Sequence, residues 1–195
     1  RKTLEAEIKI ELRLDEKSPE YQISISAEKN EPGIEVSMFE HFFAQLFRFS
    51  GFGGTISGVG KDFPHHVLED VAISAGKALK EALGDKTGTQ RTASHMMPME
   101  GVLVTIAVDL SGRPWCTLDF RIKSTPALGM LRHVLHGIAS HGFFDLFVKV
   151  EWSGDNAIKD DHHVIETVAK TLGRVLRDAT RVVGTDIPST KGTLS

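Results

Sequence analysis

Two short segments of the chain carry the same chemistry. "HHVLE" runs from His65 to Glu69, and "HHVIE" runs from His162 to Glu166. Each supplies two imidazoles and a carboxylate. On an α-helix, residues i and i+4 share a face, while neighbours diverge by about 100°. His65 with Glu69, and His162 with Glu166, therefore form chelating pairs, whereas His66 and His163 aim elsewhere. If the two copies pack as pseudo-symmetric mates, the spare histidine of one completes the site of the other. This pattern predicts two equivalent metal sites, each needing one more ligand. An earlier helix in each half offers that ligand at a matching place: "MFEH" ends in His41 and "MLRH" in His133.

The donor set is then six histidines and two glutamates shared between two ions. Imidazole with carboxylate suits Mn, Fe, Co, Ni or Zn and disfavours Ca and Mg. Three histidines and one glutamate per ion leave room for further ligands on an octahedral metal, so Mn²⁺ is the expected ion, two per chain. The H-H-x-x-E spacing differs from the H-E-x-x-H of metallopeptidases, which argues against a peptidase. Of the nine histidines, His95 and His136 are read as ordinary, and His141, in an "HG" before a strand, as a candidate neighbour of the site.

The elements that must hold these groups repeat as well. In the first half "KIELRL", "YQISISA" and a short "GIEV" read as strands, "MFEHFFAQLFRF" as an apolar helix and "GTISGVG" as a strand. Pro64 opens the His65 helix, which ends near Gly84. In the second half "SHMMPME", "VLVTIAVDLSG" and "PWCTLDFRI" read as strands, "MLRHVLHGIASHG" as a helix and "FDLFVKVEW" as a strand. Asp160 and Asp161 then open the last helix, where carboxylates suit the positive end of the dipole. The expectation is an α+β fold of duplicated βββαβα half-domains, with sheets on one side and helices on the other. Residues 1–88 and 89–195 would be the halves of one pseudo-symmetric unit, with a linker from about Asp85 to Arg91. Phe42, Phe43 and Phe47 are expected in the core or at a subunit contact.

Bulk properties narrow the function class. A chain of 195 residues with a net charge of −3 has no basic footprint for nucleic acid. No apolar run approaches the roughly 20 residues of a membrane span, and "RKTLEAEIKIELRLD" lacks a signal-peptide core. The single cysteine, Cys116, has no internal disulfide partner. A soluble, cytoplasmic protein is expected.

The doubled H-H-x-x-E motif, with "RKTLE", "PHHVLED", "ALGDKTGTQR", "PMEGVL", "DLSGRP", "DDHHVIE" and "IPSTKGTL" in that order, resembles the imidazoleglycerol-phosphate dehydratase family over nearly the whole length. The resemblance implies a ribosomal protein S5 domain 2-like duplication and a shell of 24 subunits with manganese sites between chains. It implies one ion held by His41, His66, His162 and Glu166, and another held by His65, Glu69, His133 and His163. It implies Glu5 as the acid/base carboxylate, with Glu69 and Glu166 beside it at the catalytic centre. Gln45 would touch substrate, and Arg91, Arg113, Lys170, Ser189, Thr190 and Lys191 would hold its phosphate.

The implied reaction removes water from D-erythro-imidazole-glycerol phosphate to give imidazole-acetol phosphate, a hydro-lyase step of histidine biosynthesis. The hydrogen to be removed is barely acidic, so metal ions at the ring nitrogens and a proton-moving carboxylate both serve this chemistry. Arginine forks suit the phosphate. The chain departs from the family pattern where the features of two helices look exchanged: "EHFF" comes in the first half and "MLRHVLHGIASHG" in the second. Phe49 stands where a first-half histidine is usual, and "PMEGVL" lacks one carboxylate. Two other classes share these residues: a dimetal hydrolase of a small phosphate ester, and a non-catalytic shell glued by metal. Phosphate release would mark the first, and assembly without turnover the second.

Overall fold

The structure is a computed structural model, and it describes residues 1–14, 20–152 and 161–194. Asp160, expected at the head of the last helix, lies outside the described residues. The elements are β1 (Ala6–Arg13), β2 (Tyr21–Ala27), α1 (Val36–Ser50), β3 (Gly53–Gly60) and α2 (Pro64–Leu83). There follow β4 (Thr92–Met99), β5 (Val102–Asp109), β6 (Trp115–Phe120), α3 (Pro126–Gly142), β7 (Asp145–Trp152) and α4 (Asp161–Thr180).

The two halves share one pairing pattern. The first sheet runs β1-β3-β2 and the second β4-β5-β7-β6. β3 pairs antiparallel with β1 and parallel with β2, just as β7 pairs antiparallel with β5 and parallel with β6. α1 and α3 are the crossovers that parallel neighbours require. Among the described residues, the fourth strand, β4, is answered in the first half only by a single bridge between Lys2 and Glu7. The strand expected at "GIEV" also shrinks to one bridge, Glu31 to Ile34, and α1 begins at Val36. Pro32 has no N–H to donate to a ladder, and Gly33 adopts φ +78°, so the segment turns instead of extending.

Period-two patterning fixes which strand faces are buried. Along β5, Val102, Val104, Ile106 and Val108 point inward, while the residues between them are half-buried. α1 and α2 pack on the first sheet and α3 and α4 on the second, while α1 lies against α4 and α2 against α3. Each half thus has its sheet on one side of its helices, and the two helical faces meet in the middle. Phe39, Phe42, Phe43 and Phe47 of α1 are buried in that core.

The helix contacts repeat in register. Gly76 of α2 and Gly173 of α4 each fall eleven residues after the first histidine of their motif. A Cβ on Gly76 would lie 2.5 Å from the Ile138 carbonyl oxygen, and one on Gly173 would lie 2.7 Å from that of Leu46. Both glycines let helix backbones approach more closely than any side chain permits. This packing sets where the histidines at the helix starts stand. None of the helices among the described residues is long and apolar enough to cross a membrane.

Candidate functional site

The N-terminal turn of α4 meets α1 at a cluster of three potential ligands. His41, His162 and Glu166 bring their donor atoms within 4.8 Å of one another. His162 Nε2 is 3.0 Å from Glu166 Oε2, the i,i+4 pairing that helix geometry predicts. His41 Nε2 approaches the same oxygen at 3.6 Å. The two imidazoles stack with centroids 5.2 Å apart. Gln45, one turn beyond His41, brings its side-chain nitrogen to 3.3 Å from His41 Nε2.

The other oxygen of Glu166 is held by Lys170, whose Nζ is 2.6 Å from Oε1. Burial pushes the Glu166 carboxyl up, but the hydrogen bond and charge of Lys170, with His41 and His162, outweigh it and hold the group below the usual carboxylate range. Two imidazoles and an ionised, half-sequestered carboxylate form a borderline-hard donor set that fits a divalent transition metal.

The remaining expected ligands are placed differently. His66 does not join that cluster. Among the described residues, His65, Glu69, His133 and His163 form no group of three within 4.8 Å. Glu69 and His133 are exposed. His65 turns to Glu31, with Nδ1 2.7 Å from Oε2, instead of pairing with Glu69 as its motif position predicts. His66 Nδ1 is 3.4 Å from Asp62, and His163 Nε2 is 3.1 Å from Glu100. Asp62 stands at the i,i+4 spacing from His66, whereas Glu31 and Glu100 were not legible as partners. Glu31 and Glu100 lie in turns far along the chain from the histidines they meet, so no helical or strand period links them.

A second assembly forms at the far end of α4. Arg91, Arg113, Ser189, Thr190 and Lys191 line one cavity of about 130 Å³, together with Thr193 and Leu194. A water molecule in the liquid takes about 30 Å³, so the space suits a small oxyanion. Arg91 is clamped from behind by Asp109, at 2.7 and 2.9 Å, and donates to the Pro188 carbonyl at 2.8 Å. The Asp109 hydrogen bonds hold its guanidinium still more firmly protonated.

The tail is fastened to the linker: Thr89 bridges Val182, Gly88 N–H donates to Asp186, and the buried Lys86 donates to the Leu194 carbonyl at 2.9 Å. Burial pushes the Lys86 ammonium below the ordinary lysine range, with Lys80 adding to the shift. The segment expected as a ligand loop is therefore ordered through Leu194.

Lys170 is not in this cavity; it sits on Glu166, with Met99 Sδ at 3.9 Å. The reason is helix length. Arg91 N–H bonds the Ala179 carbonyl, near the C-terminus of α4. His162 and Ala179 are separated by about 25 Å at 1.5 Å per residue. Glu5 stands on neither assembly. It is exposed, with its N–H on Thr3 Oγ1 and its carbonyl accepting from Lys61. The hook that carries it is pinned to α2 by the buried Asp70, which accepts from Arg1 Nε at 2.7 Å and Thr3 Oγ1 at 3.2 Å. His141 is occupied with the Gly137 carbonyl, and His95 with Asp178, both away from the cluster.

The family model for imidazoleglycerol-phosphate dehydratase matches residues 34–128 and 125–185. The imidazoleglycerol-phosphate dehydratase of Frankia casuarinae is 38% identical, covering all of this chain and 96% of the relative. That of Deinococcus deserti is 35% identical with the same coverage. A crystal structure of IGPD from Pyrococcus furiosus in complex with (S)-C348 superposes with a TM-score of 0.78 at 30% identity, covering 100% of this chain and 99% of that one. The Staphylococcus aureus enzyme, at 22% identity and a TM-score of 0.70, shares the fold. A family model that covers most of the chain, and relatives of 35–38% identity that span all of it, show that the chain belongs to the imidazoleglycerol-phosphate dehydratase family.

Proposed function

We propose that this chain is a hydro-lyase of histidine biosynthesis, converting D-erythro-imidazole-glycerol phosphate to imidazole-acetol phosphate and water in the cytoplasm. The observation that carries the reading is the pairing of two unlike recognition sites, one at the start of α4 and one beside its far end. The His41–His162–Glu166 cluster suits a metal that meets an imidazole, and the Arg91–Arg113–Ser189–Lys191 cavity suits a phosphate. Within one chain they stand about 25 Å apart along α4, too far for one small substrate. The metal end of one chain therefore works with the phosphate end of another, which supports a homo-oligomer, proposed at 24 subunits, with each site shared between copies.

The proposed ions are Mn²⁺, two per subunit. His41, His162 and Glu166, completed by His66 from another copy, would hold one; His65, Glu69, His133 and His163 would hold the other. The halves 1–88 and 89–195 would each contribute one chelating pair. The ions, when bound, supply Lewis acidity toward the substrate's ring nitrogens.

The chain's own groups do the rest. Glu5, held out on its pinned hook, would take the proton from the second carbon from the ring while the hydroxyl on the ring-adjacent carbon takes up a proton and leaves as water; the enol so formed becomes the ketone when the ring-adjacent carbon is protonated. Arg91 and Arg113 fork onto the phosphate, while Ser189, Thr190 and Lys191 close over it with short hydrogen bonds. Lys170 and Gln45 steady Glu166 and His41, and would contact substrate from there.

The test is an assay for imidazole-acetol phosphate, with chelator-treated protein and with Mn²⁺ restored. Ketone formation that requires added metal is the expected result. Release of inorganic phosphate without ketone would place the chain among hydrolases instead.

A further inference from the structure

The two motif copies are not used alike, and the difference centres on Glu31. In α4, His162 faces the glutamate of its own motif at 3.0 Å. In α2, His65 at the same motif position faces a carboxylate 34 residues upstream. One oxygen of Glu31 sits 2.7 Å from His65 Nδ1 and 3.2 Å from the His65 backbone nitrogen. Both nitrogens address the same acceptor, so the backbone N–H and the ring N–H of one residue share it. The local sequence leaves this role open. α2 starts with Phe63 at the N-cap, which offers no side-chain cap, and with Pro64, which has no N–H. Glu31 supplies the missing negative charge at that helix end from the turn made by Pro32 and Gly33.

The ring is fixed on its other sides as well. Phe63 stacks on it with an interplanar angle of 11°, and His66 meets it edge-on with centroids 4.0 Å apart. A carboxylate at Nδ1 selects the tautomer that carries its proton there. The lone pair is then on Nε2, at the far edge of the ring. We infer that Glu31 is the positioning residue of His65, holding it as the Nδ1–H tautomer with Nε2 presented to a divalent metal ion. This rests on the proposed reading of His65 as a metal ligand. It adds that the second metal site depends on a carboxylate that never touches the ion.

Glu31→Gln and Glu31→Ala separate this role from plain helix capping. The glutamine oxygen still accepts both N–H groups but carries no charge; alanine removes both functions. Three variants, Glu31→Gln, Glu31→Ala and His65→Ala, are prepared as full chains beside the parent. Mn²⁺ binding is followed by the electron paramagnetic resonance of the free ion, and the melting temperature is measured without metal.

The expected result is that Glu31→Gln melts like the parent yet binds one class of Mn²⁺ roughly 10-fold more weakly. Glu31→Ala should lose at least as much affinity and also melt lower. If both Glu31 variants bind Mn²⁺ like the parent while His65→Ala loses one class, Glu31 is only a cap and the inference fails, with the metal reading intact. If Glu31→Gln weakens binding only in proportion to a lowered melting temperature, the inference fails too. Parent-like binding by His65→Ala overturns the ligand reading itself.

Discussion

Lys170 Nζ lies 2.6 Å from Glu166 Oε1, one turn along α4. The contact occupies one oxygen of the carboxylate and leaves the other to His41 and His162.

This geometry makes stability depend on pH in a definite direction. The Glu166 carboxyl titrates below its ordinary value of 4.5 in the folded chain. The unfolded state therefore takes up the proton first, so the group's stabilising contribution is complete above 4.5 and fades as pH falls through the folded value. Urea midpoints of metal-free protein from about pH 7 to about pH 3 should show this loss in the parent and not in Glu166→Gln. In Lys170→Met the fade should begin at higher pH, because burial then acts with less opposition. Identical profiles for parent and Glu166→Gln would remove the coupling.

His162 and Arg113 should fail in different ways. His162→Ala takes a nitrogen from the cluster and leaves Glu166 Oε2 facing His41. Metal binding should weaken strongly, and any subunit contact that the metal bridges should loosen with it. Arg113→Ala should keep both metal and assembly but weaken the grip on the phosphate by about 1.5–3 kcal/mol, the range for hydrogen bonds to charged groups. Light scattering with and without Mn²⁺, beside a turnover assay, reads both. Parent-like behaviour of His162→Ala would end the shared-site reading, and collapse of Arg113→Ala alone would make that arginine structural.

The two helix crossings should be equally intolerant of a methyl group. A Cβ at Gly76 or Gly173 meets backbone atoms at 2.5 and 2.7 Å, and backbone cannot rotate away as a side-chain tip does. Gly76→Ala and Gly173→Ala should each cost about 1–3 kcal/mol, the range for overpacked cores. Gly184→Ala, with nothing within 4 Å of the new Cβ, is the control. Chemical denaturation compares them. A neutral Gly173→Ala would mean that α1 and α4 can part without loss.

Cys116 should be a quiet thiol. Burial, with the Asp145 charge behind it, pushes its pKa up from 9.0 to about 12. Thiolate is the reactive form, so a thiol reagent at about pH 8.5 should label native protein far more slowly than urea-unfolded protein. The same shift lowers stability as pH rises from 9.0 toward 12, because the unfolded chain releases the proton first. Fast labelling of the native state would show that the β6 edge opens readily.

What the sequence determined by itself is whatever a local period dictates. The spacing in "HHVIE" puts His162 over Glu166 because 3.6 residues make a turn, and the structure has them 3.0 Å apart. Alternation in "VLVTIAVD" sets which face of β5 is buried, and the repeat of the motif announced a duplicated fold. Spacing also placed Lys170 one turn beyond Glu166, although that contact with the cluster was not read from it.

Only the tertiary structure decided which groups meet across long separations. His65 left Glu69 for Glu31 because a Pro-Gly turn carries that carboxylate to the uncapped start of α2, and no period spans 34 residues. "GIEV" has strand-like residues but follows that same turn, so it could not extend into a ladder. The phosphate-suited residues gathered into one cavity because the tail pairs with the linker, whereas Lys170, midway along α4, turned to Glu166. A helix is a rigid rod of fixed rise, so the cluster at the start of α4 and the cavity near its end stay apart within one chain.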